Sequence, residues 1–150
     1  MRTLLLILAA AFTEIAWAQQ PSAQSLKTFS SSKEVQDMIA NAKKIRKPDQ
    51  ALVAQPILLL APYRVSLEYR AIAGTAAVHE KEAEIFYVID GAGTLTTGGT
   101  MQGTAIAGGT AQAVAKGDFF IVPENTPHAF TDVKSPLVLM SLHIPRTAEK

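Results

Sequence analysis

From Ala51 onward the chain is written as short runs of strand-forming residues, each cut off by a turn signal before it can grow long. "ILLLAPY", "RVSLEYRAIAG", "EIFYVID", "GTLTT", "TAIA", "AQAVA", "FFIVP", "HAFTDV" and "LVLMSLHIP" follow one another, and the second alternates Val65, Leu67, Tyr69 and Ala71 with polar neighbours. The interruptions are Pro62, Gly74, Asp90-Gly91, Gly98-Gly99, Gly108-Gly109, Gly117-Asp118 and Ser135-Pro136. Period-two runs at regular turn spacing, with no helical pattern among them, indicate an all-β sandwich or barrel. The glycine-rich stretch "GAGTLTTGGTMQGTAIAGGT" is not a phosphate loop, because it lacks the GxxxxGK[ST] order and opens no helix. Its Gly-Gly-Thr steps at Gly98 and Gly108 suit tight reversals that need positive φ.

One helix precedes the strands. In "SSSKEVQDMIANAKKIRKPDQ", Ser31 and Glu34 have capping-box spacing, and Val35, Met38, Ile39, Ala42 and Ile45 share one face. Pro48 stops the run, giving an expected helix over 32–47. Its basic tail of Lys43, Lys44, Arg46 and Lys47 complements the negative end of the helix dipole, so it is read as a solvated terminus.

The N-terminus reads as a targeting segment. Arg2, the nine apolar residues Leu4 to Phe12 and then Ala16-Trp17-Ala18 form a secretory signal with cleavage expected after Ala18. The apolar run is much shorter than the roughly 20 residues of a membrane span. Domain boundaries follow: 1–18 signal, 19–50 linker and amphipathic helix, 51–150 a single barrel. An exported, periplasmic or secreted protein with no membrane association after cleavage is expected. Cysteine is absent, which excludes disulfides and thiol catalysis. Cleavage removes Arg2 and Glu14 and leaves the net charge at +1, far from the clustered basic excess of a nucleic-acid-binding surface.

The chain has three histidines, His79, His128 and His143. His79 stands five residues before Glu84, which opens "EIFYVIDG", and His128 closes "GDFFIVPENTPH". Strand alternation puts Glu84, Phe86 and Val88 on one face. If that face is the interior, a bare carboxylate among aromatics is costly, and imidazoles with a metal ion would stabilise it. Glu80 and Glu82 flank Lys81 in what reads as a turn, and both are expected to be solvated.

Residues 74 to 93 and 117 to 132 resemble the two motifs of the cupin superfamily, and residues 51 to 147 resemble a single small cupin of the type-2 kind. The first motif is G(X)5HXH(X)3-4E(X)6G: Glu84 and Gly91 match its latter half, and His79 takes the place of its second histidine. The second is G(X)5PXG(X)2H(X)3N: Gly117, Pro123 and His128 match, with Asn125 for the second glycine and Asp132 for the asparagine. Ala77 stands where the first motif histidine belongs, and Ala71 where its glycine belongs.

The resemblance implies a cupin-type double-stranded β-helix, a jelly-roll barrel with one N-terminal helix. It also implies one divalent transition metal, Fe, Mn, Zn, Ni or Cu, held by His79, Glu84 and His128, with positions left open. His143 could supply the missing ligand. Its parity opposes the apolar series Val138, Met140, Leu142 and Ile144, however, and a hydrogen-bonded strand residue is the expectation. Tyr69, Phe86, Phe130 and Met140 are candidate pocket walls, and Arg70 a candidate partner for an anionic substrate. The implied activity is metal-dependent small-molecule chemistry of the oxygenase or isomerase kind, in a homodimer. The competing expectation is a periplasmic barrel, with or without a metal, that holds a sugar or organic acid without turnover.

Overall fold

The computed structural model describes residues 26–146; the signal segment and most of the linker lie outside the described residues. Among the described residues one helix, α1 (Ser32–Ile45), precedes eight strands: β1 (Leu52–Leu60), β2 (Tyr63–Arg70), β3 (Glu82–Thr97), β4 (Thr100–Gln102), β5 (Ala105–Ala107), β6 (Thr110–Ala115), β7 (Phe119–Val122) and β8 (His128–Pro145). All pairings are antiparallel. The main sheet runs β1-β2-β8-β3-β6, with β7 also on β3, and β4 pairs β5 separately. The architecture is the expected jelly-roll barrel with one helix.

The helix starts where its cap predicts. Ser31 is the N-cap, and its Oγ accepts from the Glu34 amide at 3.2 Å. The Glu34 carboxylate itself takes Ser30 Oγ and Lys27 Nζ. The helix ends at Ile45, two residues before the expected end. Arg46 is the C-cap, and its guanidinium donates to the carbonyls of Pro48 and Gln50, each at 2.7 Å.

Two interruptions that read as turns are bends inside long strands. "EIFYVID" and "GTLTT" join as β3, and "HAFTDV" and "LVLMSLHIP" join as β8. The β3–β8 register shifts between Val88 and Thr94, opposite Ser135 and Val138. Gly91 sits at this bend with φ +86°, and a Cβ there would lie 2.1 Å from the Pro136 carbonyl oxygen. Asp90-Gly91 and Ser135-Pro136 therefore mark one shared bulge where both strands turn a barrel corner. The glycine pairs at 98–99 and 108–109 do have positive φ, as reversals require.

Two apolar clusters divide the core. Phe86, Val88, Leu95, Val114, Val122, Phe130, Leu137 and Leu139 fill the barrel. Val53, Ile57, Leu67, Tyr69 and Val138 face the other way, against Ala42, Val35, Met38 and Ile39 of α1. Strands β2 and β8 are thus covered on both faces.

Candidate metal centre

Three strands meet in register at one end of the barrel. On β8, His143 lies opposite Glu84 of β3 on one side and Arg64 of β2 on the other. The β8 series Leu137, Leu139, Ser141, His143 points into the barrel, as does the β3 series Glu82, Glu84, Phe86, Val88. His128 opens β8. Its backbone pairs with Ala77 through two 2.9 Å hydrogen bonds, which draws the segment before β3 against the barrel rim. His79 follows two residues later, and its carbonyl accepts from the Asn125 amide at 2.7 Å.

All three imidazoles converge on one carboxylate. His79 Nε2 and His128 Nε2 each lie 3.3 Å from Glu84 Oε2, and His143 Nε2 lies 2.9 Å from Glu84 Oε1. The His79 ring is 4.8 Å from that of His143 and 5.4 Å from that of His128, centroid to centroid. Glu84, His128 and His143 are buried, while the His79 side chain keeps 31% of its surface exposed and gives the cluster its side toward solvent. A recess of about 360 Å³ lies there, lined by Val78, His79, Glu80, Lys81 and Glu82.

Each buried imidazole is fixed through its second nitrogen. His128 Nδ1 lies 3.3 Å from the Thr126 carbonyl, and His143 Nδ1 lies 3.0 Å from Glu82 Oε2. Nδ1–H donation at both turns the Nε2 atoms toward the centre. Burial would raise the Glu84 carboxyl's pKa, but hydrogen bonds from His128 and His143 and their charge outweigh it and bring it down to about 2. Burial also tends to lower the pKa of His143, yet the bond to Glu84 raises it overall. For His79, burial wins and its pKa is lowered.

The donor set fits a transition-metal ion. Ligand atoms of His79, Glu84 and His143 all lie within 4.8 Å of one another. Ligands about 2.1 Å from an ion stand roughly 3 Å apart at right angles, so the 2.9 and 3.3 Å separations need little rearrangement. His128 shares the Glu84 oxygen with His79 but stands outside that mutually close group, in which His143 takes the place expected for it. Imidazole and carboxylate together suit first-row metals.

Several expected positions are corrected. His143 is not a bland strand residue: its parity matches Leu137 and Leu139 inside the barrel, while Val138 and Met140 are apolar because they meet α1. Met140 and Tyr69 therefore wall no interior pocket; both pack on the helix side. Glu82 is not turn decoration, because β3 has begun and shares its face with Glu84. Arg70 is already paired with Glu68, at 2.7 Å and 2.9 Å from its Oε2, and its guanidinium lies 4.6 Å over the Phe130 ring. An incoming anion would have to displace Glu68. Phe86 does stand behind the centre, its ring edge-on to His128 at 6.1 Å and to Phe130 at 5.3 Å. Arg64, which donates to Glu82 at 2.9 Å, was missed, since an exposed arginine at a strand start carries no signal of its own.

The comparisons bear on the fold. No curated protein gives a significant match. Solved structures with a similar fold include KdgF from Halomonas sp., at 18% identity and TM-score 0.53, covering 68% of this chain and 87% of that one. A cupin superfamily protein from Desulfitobacterium hafniense DCB-2 gives 12% identity and TM-score 0.55, over 81% of this chain and 99% of that one. Iron(II) HppE gives 15% and 0.55, over 67% and 54%. At these identities the likeness is one of fold. The Cupin domain family matches residues 63–143, more than half of the chain, from β2 to the histidine that completes the cluster, and the protein belongs to that family.

Proposed function

We propose that the protein is an exported, metal-dependent cupin enzyme of small-molecule chemistry, oxygenase or isomerase in type, working as a homodimer. The observation that carries this reading is the convergence of all three imidazoles on the buried Glu84 carboxylate, with exposure kept only at His79. His79, Glu84, His128 and His143 would hold the ion. When bound, the metal supplies Lewis acidity or oxygen activation at the barrel end. The chain's own residues orient and shield it: Thr126 and Glu82 fix the rings, and Phe86 closes the inner side against water. Substrate approaches through the recess beside His79. The fold likeness to a protein named as an iron(II) form makes iron the first metal to try.

Metal content of the mature protein, purified without chelators, tests this. About one ion per chain in the wild type, reduced by His128→Ala, is expected. Traces of metal that the substitution leaves unchanged would sink the proposal. Mass spectrometry of the exported protein should place its first residue at Gln19, and the mass in solution should be that of two chains.

A second reading, ligand binding without turnover, is favoured by one observation. Every imidazole is engaged by Glu84, so no histidine is free to move substrate protons. Ligands that raise the melting temperature of the metal-loaded protein yet are never converted, with or without dioxygen, would decide for it.

A further inference from the structure

The first motif histidine is absent at Ala77, and the histidine that joins the cluster instead comes from β8. A ligand in a new place needs its own support, and the structure supplies it from two neighbouring strands. Glu82 lies two residues before Glu84 on the same face of β3, so its carboxylate meets one edge of the His143 ring while Glu84 meets the other. Arg64, directly opposite His143 on β2, reaches across β8 to hold Glu82 Oε2 at 2.9 Å. The series Arg64, Glu82, His143, Glu84 is thus continuous through contacts of 2.9, 3.0 and 2.9 Å. The Arg64 and Glu82 side chains are partly open to water, so the ion pair adds little to stability. Its effect is on the ring: a fixed acceptor at Nδ1 sets which nitrogen faces the centre and how the ring is turned.

We propose that Glu82, held by Arg64, is a positioning residue that makes His143 the metal ligand replacing the histidine missing at Ala77. The proposal rests on the reading of the cluster as a metal centre. Partners of this kind are commonly worth 10- to 100-fold in metal affinity.

The test titrates cobalt(II) into the full mature protein and the variants Glu82→Leu, Glu82→Gln, His143→Ala and Glu82→Leu/His143→Ala, with circular dichroism to check each fold. Glu82→Leu should weaken cobalt binding by about 10- to 100-fold. Glu82→Gln, which keeps an acceptor oxygen, should fall between it and wild type. With His143 already removed, Glu82→Leu should cost nothing further. Wild-type affinity in Glu82→Leu, or the same loss with and without His143, overturns the proposal. Nitrogen-15 NMR of the metal-free protein keeps this outcome separate from that of the metal reading. The His143 Nδ1 signal should be that of a protonated, hydrogen-bonded nitrogen in wild type and should move in Glu82→Leu. An unmoved signal overturns the positioning role even where cobalt binds; a wild type that takes no cobalt overturns the metal reading, while a shifted Nδ1 signal still upholds Glu82's hold on the ring.

Discussion

The two faces of β2 and β8 are built from the same strands and are buried in different ways. One face carries Leu67, Tyr69, Val138 and Met140 against α1, and it is apolar throughout. The barrel face carries Leu137 and Leu139, then Ser141 and His143, while β2 contributes Arg64, Ser66, Glu68 and Arg70 to it. That interior changes from hydrophobic to ionic along a single strand. The difference teaches that in a strand covered on both sides the more apolar face need not be the inner one: the helix side needs only contact area, whereas the barrel mouth must hold charge and pair it.

The sharpest way to break the comparison is one large-to-small substitution on each face. Phe86→Ala in the barrel and Leu67→Ala on the helix side both remove side chains that are 0% exposed. Denaturant titration should show losses of about 3–5 kcal/mol and about 2–5 kcal/mol respectively. Only Phe86→Ala should also lower metal content, because its ring backs His128. Equal metal loss from Leu67→Ala would mean that the two faces are not separable.

Acid should act on the barrel face next. Glu84 titrates near 2 in the fold against an ordinary 4.5, so its contribution, roughly 3 kcal/mol, is complete above about pH 4.5. It is lost as the pH falls toward 2. His143, whose pKa is raised, contributes below its ordinary 6.5 and loses that contribution as the pH rises through its higher folded value. Urea midpoints of metal-free wild type should therefore fall steeply between pH 4.5 and 2, and those of Glu84→Gln should fall much less.

On the helix side, Ser31→Ala removes the N-cap acceptor and should cost about 1 kcal/mol in thermal or denaturant unfolding without touching metal affinity. The smallest effect is expected at Ser141, whose Oγ is buried with no hydrogen-bond partner. Ser141→Ala should be neutral or stabilising by less than about 1 kcal/mol, because it deletes an unpaired hydroxyl. A clear loss of stability there would show that the hydroxyl is bonded within the barrel.

The legible parts of this chain were those encoded locally. The helix cap at Ser31, the positive-φ glycine pairs and the spacing of Glu84 to Gly91 are short-range matters of backbone sterics. The motif substitutes Asn125 and Asp132 both have φ +55°, the only non-glycine residues with positive φ among those described. Asparagine and aspartate tolerate that region where most side chains do not. Asp90-Gly91 was harder, since the same residues serve a reversal and a bulge. Only the facing Pro136 carbonyl distinguishes them.

By itself the sequence determined an all-β barrel with one helix, a carboxylate at the head of a buried strand, His79 at motif spacing from it and His128 in a second motif. The tertiary structure decided which parity of β8 faces inward, and so brought His143, Glu82 and Arg64 into the cluster and turned Tyr69 and Met140 away. The physical reason is that alternation divides a strand into two faces without saying which is inner. That choice depends on register with strands distant in sequence and on the helix that covers the other side.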